Sequence, residues 1–401
     1  MDSFGEIWCM SYLKFLADRL FDGYNFCESG QVLITDDTGL IRDIVPLQDA
    51  GDDVQQHEGI LCPGFINCHC HLELSHLKNI IPPHTGLVEF LCSVVTKRDF
   101  PPGLVQQEII RAEKELFDNG VVATGDIGNT ADTADVKSKS RIRWQNFVEV
   151  LSFTDEKAAE NFNHYQTVAA RLETALRGSS LRHRTSLVPH APYSISPKTF
   201  ELINEATAGQ VISIHNQEHP AEDELYKTGG GGYLKLFRIF GIGQSPFPVT
   251  GKSSIRSVLP YFNNGQTILL IHNSYMPEED IVWANEFAAA SGLKLVYCLC
   301  INANLYIENK VPPIDLFIRH GCQIVLGTDS YSSNWQLSIA KEMEVIRQYF
   351  PHIPAADILQ WATLNGARAL RWEEYLGSFE KGKRPGVLLT GNNFIPVKRL
   401  A

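Results

Sequence analysis

The sequence predicts an α/β fold: a (β/α)₈ barrel with a small β-sandwich-like domain formed from both termini. Eight short apolar runs, rich in β-branched residues, alternate mostly with helical patterns, as expected for strands buried on both faces of a parallel sheet. Eight strand–helix units in one chain favour closure into a barrel. An open doubly wound sheet is the alternative, but no glycine-rich turn follows the first strand to support it.

The two ends of the chain predict the small domain, which covers residues 10–60 and 376–401, with the barrel over residues 61–375. Short β-like runs separated by turn residues occur at both ends and can pair into one small sheet beside the barrel. These runs are Tyr12–Leu16, Gln31–Thr35, Ile41–Pro46, Gly386–Leu389 and Phe394–Val397.

The central part of the chain predicts the barrel. Its eight predicted strands are Ile60–His69, Val121–Ile127, Asn146–Phe153, Thr185–His190, Val211–His215, Thr267–His272, Leu293–Leu299 and Gln323–Thr328. The predicted helices are Gln107–Asn119, Ala158–Arg177, Lys198–Ala206, Glu278–Ala290, Ile314–His320, Leu337–Tyr349 and Ala355–Leu370. Residues 228–252 contain four successive glycines and two prolines, which are compatible with a mobile cover or with an exposed turn.

The composition excludes several classes of protein. The chain has 401 residues, of which 44% are hydrophobic and 20% charged, so disorder as the main state is excluded. The net charge of −11 disfavours nucleic-acid binding, which needs a basic face. No apolar stretch approaches the ~20 residues that span a bilayer. The acidic start of the chain does not match a signal peptide, so the sequence predicts a cytoplasmic protein without membrane contact; residues 1–9 fit no element.

The sharpest chemical signal is Pro63-Gly64-Phe65-Ile66-Asn67-Cys68-His69-Cys70-His71, at the end of the first barrel strand. Strand side chains alternate, so the two imidazoles share one face while the two thiols share the other. Two imidazoles in this arrangement can bind one metal ion. A zinc knot that includes the thiols is disfavoured, because the alternation separates them from the imidazoles and no CxxC spacing occurs.

Other barrel strands end in the same kind of residue. Strands four, five, six and eight end in His190, His215, His272 and Asp329. In a parallel barrel these termini meet at one mouth, where the active site lies. Each alone is compatible with an ordinary rim residue, but their convergence predicts a metal centre.

These motifs resemble those of the amidohydrolase superfamily. PGFINCHCHLE, HAPYS, HNQE, HNSY and GTDSYSSN together are specific for that superfamily, and the resemblance covers nearly the whole chain. Within it, the chain is similar to the metal-dependent deaminases of adenosine, S-adenosylhomocysteine and aminodeoxyfutalosine, and to chlorohydrolases. The motifs are much less specific for the substrate.

The resemblance implies a mononuclear centre in which His69, His71, His215 and Asp329 bind one divalent cation, zinc or alternatively iron. Such a cation lowers the pKa of water toward neutrality. His272 and Asp329 would orient and deprotonate that water. Binuclear relatives also need a bridging lysine or glutamate on strand three or four, and on these strands only Glu149 offers one.

The resemblance also implies the acid–base and binding groups. Glu218, three residues after His215, would protonate a ring nitrogen of the substrate and then move protons to the leaving amine. His190 would hydrogen-bond the substrate or the oxyanion formed during attack. Other polar residues beside these motifs contact substrate or have structural roles: Glu73, Ser75, Asp126, Ser332, Ser333 and Asn334.

We therefore expect a metal-dependent hydrolytic deaminase that releases ammonia from an amino-substituted heterocycle, a purine base or nucleoside-like small molecule. The alternatives are an amidase, a cyclic-imide hydrolase or a chlorohydrolase on the same site, and, more remotely, an inactive barrel used as a scaffold. Oligomeric state stays open, although apolar residues at the edge of the small domain are compatible with a homodimer.

Overall fold

A computed structural model describes residues 12–401; the segment for which the sequence predicts no element, residues 1–9, lies outside this range. Between residues 12 and 401, no helix has both the length and the apolar composition needed to span a membrane.

The two ends of the chain form one six-stranded sheet. Its strands, in the spatial order β14-β13-β4-β1-β2-β3, bring the C-terminal residues against the N-terminal ones, because β13 pairs antiparallel with β4. A separate cluster of buried apolar residues, which includes Phe15, Leu33 and Leu61, packs on this sheet. The strands are β1 (Tyr12–Leu20), β2 (Gln31–Asp36), β3 (Ile41–Pro46), β4 (Gln55–Pro63), β13 (Val387–Thr390) and β14 (Val397–Arg399).

Eight parallel strands form the barrel predicted from the sequence. They are β5 (Phe65–Cys70), β6 (Val121–Gly128), β7 (Arg143–Val150), β8 (Arg184–Pro189), β9 (Val211–Asn216), β10 (Thr267–His272), β11 (Lys294–Leu299) and β12 (Ile324–Leu326). The backbone N–H of His215 donates to His190 O at 3.0 Å and joins β8 to β9. Asp329 N donates to His69 O, also at 3.0 Å, and joins the end of β12 to β5. The strands therefore close on themselves.

Helices surround the barrel and bury apolar stripes against it; α2, for example, buries Ile109, Ala112 and Leu116. They are α1 (Leu87–Lys97), α2 (Pro102–Asp118), α3 (Ala134–Lys139), α4 (Ala158–Leu176), α5 (Pro197–Ala206), α6 (Pro220–Thr228), α7 (Tyr233–Ile239), α8 (Ser254–Val258), α9 (Glu278–Ser291), α10 (Ile301–Glu308), α11 (Ile314–Arg319), α12 (Ile339–Tyr349), α13 (Ala355–Ala362) and α14 (Leu364–Ala369).

The prediction of one strand over Ile60–His69 is wrong. The segment contains β4, which belongs to the small sheet, and β5, which opens the barrel, and Gly64 separates them. A Cβ atom at Gly64 would lie 2.5 Å from Pro385 O and 2.3 Å from Val122 Cγ1, so only glycine fits where the chain passes from one sheet to the other.

Two further predictions need correction. The single helix predicted over Ala355–Leu370 breaks at Thr363, whose φ of −128° and ψ of −90° lie outside the helical region. The loop predicted over residues 228–252 contains a helix, α7. Its glycines serve partly to end α6, since Gly229 has a φ of 76° and caps that helix.

Candidate active site

The carboxyl ends of the barrel strands bring His69, His71, His215, His272 and Asp329 together, as the sequence predicts. The Nε2 atoms of His69 and His71 lie 3.2 Å apart. Each of these atoms lies 3.5 Å from Asp329 Oδ1. The nitrogen ligand atoms of His69, His215 and His272 lie within 4.8 Å of one another.

These distances fit a shared cation. Two ligands that bind a tetrahedral ion at 2.0–2.1 Å lie about 3.4 Å apart, and the three distances among His69, His71 and Asp329 are close to that value. All three side chains are buried. Three imidazoles and one carboxylate are also a donor set that zinc and iron accept.

The imidazoles are held in the neutral form that metal binding requires. Burial, and then the neighbouring imidazoles, hold the pKa of His69 and His71 well below the usual value of histidine. Burial also lowers the pKa of His215. His215 Nδ1 lies 2.7 Å from His190 O and donates to it, so its Nε2 lone pair faces the centre.

Asp329 is fixed from behind by Ser333. Ser333 Oγ donates to Asp329 Oδ2 at 2.6 Å, and this leaves Oδ1 to face the imidazoles. Burial raises the pKa of Asp329, but the imidazoles of His71 and His272 outweigh it, so the pKa lies below its ordinary value. Asp329 and His272 have φ values of 58° and 70°, in the left-handed region that non-glycine residues rarely adopt.

Glu218 faces the same centre. Its Oε1 lies 3.5 Å from His272 Nε2, and Asn304 contacts the other ring nitrogen of His272 at 3.1 Å. Burial, then the charges of Asp329 and Glu222, raise the pKa of Glu218 well above that of an ordinary glutamate. A carboxyl group of this kind can carry a proton at neutral pH and deliver it to a substrate.

The backbone before Glu218 is held by a network that sequence reasoning missed. Gln217 has a φ of 41°, and its N–H donates to Glu222 Oε1 at 2.8 Å. Its side-chain amide donates to Asp280 Oδ2 at 2.8 Å. Ser254 also donates to Glu222 Oε1, at 2.5 Å, and Glu222 is fully buried. These contacts fix the turn that aims Glu218 at the cavity.

His190 lines the cavity beside a carboxyl group. Its Nδ1 lies 2.8 Å from Ser194 Oγ, and its Nε2 lies 3.9 Å from Glu149 Oε1. Burial, and then the charge of Glu73, raise the pKa of Glu149 to about 8. Glu149, His190 and His215 also offer ligand atoms within 4.8 Å of one another.

Of the remaining residues predicted to contact substrate, some line the cavity and others only stabilise the structure around it. Glu73 reaches the cavity, but its Oε2 accepts from the backbone N–H groups of Asn129 and Thr130 at 3.0 and 3.2 Å. Asp126 is buried away from the cavity lining; it binds Lys137 Nζ at 2.6 Å and accepts from Leu72 N.

The side chains of Ser75 and Asn334 form hydrogen bonds with backbone carbonyl groups near the site. Ser75 donates to Leu72 O at 2.7 Å. Asn334 donates to Thr328 O at 2.7 Å, while Ser330 and Ser332 line the cavity.

The cavity above the centre encloses about 860 Å³, part of it open to solvent, which is within the usual range for small-molecule sites. One wall is apolar and comes from α1 and α7, with Leu91, Val94 and Leu236 among its residues. The sequence predicts neither wall helix. Arg98 and Asn129 lie at the polar side; Arg98 directly follows α1 and Asn129 directly follows β6, but the sequence analysis identified neither.

This fold and centre define a class: hydrolases built on a (β/α)₈ barrel with a metal-binding mouth. The model of the Amidohydrolase family matches residues 60–392, and the chain belongs to this metal-dependent family. It is therefore a hydrolase.

The relatives agree with this assignment. The chain is 22% identical to the 5-methylthioadenosine/S-adenosylhomocysteine deaminase of Caldanaerobacter subterraneus subsp. tengcongensis, over 96% of this chain and 84% of the relative. The structure of Helicobacter pylori aminofutalosine deaminase superimposes with a TM-score of 0.75 at 20% identity, covering 95% and 92% of the two chains. An adenosine deaminase from Xanthomonas campestris with bound zinc gives a TM-score of 0.73 at 20% identity, covering 94% and 84%.

Proposed function

We propose that the protein is a metal-dependent hydrolytic deaminase that releases ammonia from a purine base or a nucleoside-like purine. One observation carries this proposal: a buried, protonatable carboxyl group, Glu218, follows His215 by three residues and faces the same centre. Hydrolysis at a ring carbon needs a proton on the adjacent ring nitrogen, and Glu218 is placed to supply it.

We propose His69, His71, His215 and Asp329 as the ligands of one divalent cation, with zinc preferred and iron as the alternative. When bound, such a cation lowers the pKa of water and polarises the group that it contacts. The neutral imidazoles and the ionised carboxylate described above support this assignment.

In this proposal the residues of the chain share the proton transfers. His272 and Asp329 orient water and take its proton. Glu218 donates its proton to the ring nitrogen, takes up the second proton of the water as the carbonyl group forms, and passes it to the amino group, which leaves as ammonia. The proton held by His272 and Asp329 then returns to Glu218. His190 hydrogen-bonds the substrate on the other side of the centre. Because Glu218 and His272 are buried, bulk water does not compete for these protons.

The test is ammonia release by the full chain loaded with zinc or iron, across aminopurines, aminopyrimidines and their nucleosides. We expect release from purine compounds only, and its loss in a chelated control. Silence across the panel with one ion bound per chain would contradict deamination and move the reaction to amide, imide or halide substrates. Silence with no ion bound would contradict the metal assignment.

A further inference from the structure

We propose that Glu342 is a positioning residue that fixes both His272 and Asp329. The inference rests on the proposed function, which assigns the proton of the water to these two groups, and it adds a residue that lies behind them. Glu342 belongs to α12 and is 1% exposed. It is not among the described residues that line the cavity. It can therefore influence the centre only through the residues that it contacts.

The carboxylate of Glu342 joins the start of α10 to the loop that follows β12. Its Oε2 accepts the backbone N–H of Asn302 at 3.0 Å, and its Oε1 accepts the side-chain amide of Asn302 at 2.9 Å. Oε1 also accepts the side-chain amide of Asn334 at 3.1 Å. All three partners are donors, so an acceptor-only carboxylate suits this position. The N–H of Asn302 is also one of the first of its helix, which have no partner within the helix.

Asn334 extends this contact to Asp329. Its amide also donates to Thr328 O at 2.7 Å, the carbonyl group of the peptide bond that precedes Asp329. Asn67 holds the same residue from β5, because its Oδ1 accepts Thr328 N at 3.1 Å. Asp329 has a φ of 58°, and a residue in this backbone region persists only where its surroundings hold it. Glu342 and Asn334 therefore help to fix the direction in which the Asp329 carboxylate points.

The helix α10 extends the second contact to His272. The side-chain amide of Asn304 lies 3.1 Å from His272 Nδ1, and both residues are buried. The Oδ1 atom of Asn304 has no hydrogen-bond partner among residues 12–401, so the contact with His272 is the one that orients this amide. Asn304 thus occupies the rear ring nitrogen and leaves Nε2 to face the centre and Glu218. Because Asn302 and Asn304 lie in the same turn of α10, the bonds from Glu342 to Asn302 also fix Asn304.

One buried carboxylate therefore holds two segments that each carry a contact to a proposed proton acceptor. Its loss leaves three buried donors without their acceptor, which favours movement of both segments. A displacement of about 1 Å at reacting groups can lower a rate by about 10²-fold. A role in packing alone predicts a different result: reduced stability, with kcat and zinc affinity unchanged in the folded protein.

The experiment compares Glu342→Met with wild type in the full chain saturated with zinc. Methionine has a similar length but offers no oxygen to the three donors. With the purine that releases ammonia fastest, we expect kcat to fall about tenfold or more, because both proton acceptors lose their support. KM should change less than about twofold, because Glu342 does not line the cavity. Zinc affinity, measured by competition with a chelator, should fall about tenfold, because Asp329 is a proposed ligand.

The matched control is Glu344→Gln. Glu344 lies on the same helix, and its carboxylate pairs with Lys341 at 2.9 Å, where both side chains are partly exposed. This variant should keep the kcat and the zinc affinity of wild type. A loss equal to that of Glu342→Met would attribute the effect to α12 as a whole and overturn the assignment to Glu342.

Two further variants separate the contacts. Asn304→Leu should lower kcat and leave zinc affinity unchanged, whereas Asn334→Ala should lower zinc affinity. If Glu342 acts on Asp329 through Asn334, the double variant Glu342→Met/Asn334→Ala should lose less zinc affinity than the product of the two single fold-changes. Single fold-changes that simply multiply would overturn this link.

Wild-type kcat and zinc affinity in Glu342→Met would overturn the inference as a whole. If that variant does not fold, Glu342→Gln decides, because it keeps one carbonyl acceptor and loses the other. Its kcat should fall about threefold or more, and wild-type values in it would overturn the inference. Absence of ammonia from every purine tested would instead overturn the proposed function, and the zinc affinities of Glu342→Met and Asn334→Ala would still decide whether Glu342 positions Asp329.

Discussion

Glu222 Oε1 accepts the backbone N–H of Gln217 at 2.8 Å, and Gln217 has the positive φ that turns the chain between His215 and Glu218. A residue in this backbone region persists only where its surroundings hold it. The buried carboxyl group of Glu222 therefore positions Glu218, although it does not line the cavity itself.

Replacing Glu222 by alanine should misplace Glu218 and leave the metal centre occupied. The variant leaves the N–H of Gln217 and the hydroxyl of Ser254 without their shared acceptor. We expect kcat to fall about tenfold or more, with close to one ion still bound per chain by elemental analysis. Glu222→Gln retains a carbonyl acceptor and should rescue much of kcat. Equal kcat in Glu222→Ala and wild type would show that Glu222 does not position Glu218.

Glu222 should also make stability depend on pH. Burial raises its pKa to about 8 in the folded protein, above the value of about 4.3 expected when unfolded. Between about pH 4.3 and pH 8 the folded state therefore keeps a proton on Glu222 that the unfolded state has lost. The stabilisation that this proton provides is complete below about pH 4.3 and is lost as the pH rises to about 8. Within this range the free energy of unfolding falls by at most about 1.4 kcal/mol per pH unit. Tm of Glu222→Gln should fall less between pH 5 and pH 8 than Tm of wild type; parallel curves would contradict the assignment.

Glu218→Gln should retain the metal and lose turnover. The amide cannot donate or take up a proton at neutral pH, while the proposed ligands keep their positions. We expect kcat to fall by about 10²-fold or more. Near-normal ammonia release by this variant would remove Glu218 from the proton transfers, and Glu205→Gln serves as the matched exposed control.

Ser333→Ala discriminates between two roles of Ser333. The sequence predicts a substrate contact, whereas the structure has its hydroxyl donating to Asp329 Oδ2. If the hydroxyl acts by orienting Asp329, metal affinity should fall about tenfold or more, as measured by competition with a chelator. Unchanged metal affinity combined with a raised KM would favour the substrate contact instead.

Asp126→Asn should affect stability and leave specificity unchanged. Asp126 and Lys137 are 1% and 2% exposed and form a buried ion pair, so removal of one charge leaves the other buried and unpaired. We expect a loss of about 3–5 kcal/mol in the free energy of unfolding, measured with urea. Asp135→Asn breaks an exposed pair with Lys139 on the same helix and should cost less than about 1 kcal/mol. An equal loss in the free energy of unfolding in Asp126→Asn and Asp135→Asn would show that burial of Asp126 is unimportant.

The sequence places the proposed metal ligands close together because their positions follow from strand periodicity. His69 and His71 share a face, and His215 and Asp329 end parallel strands, so a closed barrel brings them together. Their choice as the ligand set came from the resemblance to the family. The residues of the site that the sequence analysis missed act by fixing the backbone conformation of loops. The left-handed backbone at Gln217, His272 and Asp329 depends on tertiary contacts, and no local residue pattern signals it.

The cavity walls are the least predictable part of the site. Arg98 and Asn129 come from loops whose path depends on the contact with Glu73. The helix α7 follows a run of glycines, and its apolar stripe is too short to be recognised beside them. The helix α1, which packs against α7, lies in a segment with no clear strand-end or capping signal. These elements line the cavity, so we expect substrate selectivity to depend on them more than on the sequence motifs.

The pairing of β13 with β4 links the two ends of the chain directly before the strand that carries His69. During translation, β4 emerges from the ribosome more than 300 residues before its partner, and Asp329 follows His69 by 260 residues. The complete set of proposed ligands therefore exists only after residue 329 has been made, and the six-stranded sheet only after residues 387–399 have been made. A nascent chain that ends before Asp329 therefore lacks part of the proposed ligand set, and one that ends before β13 lacks the antiparallel partner of β4.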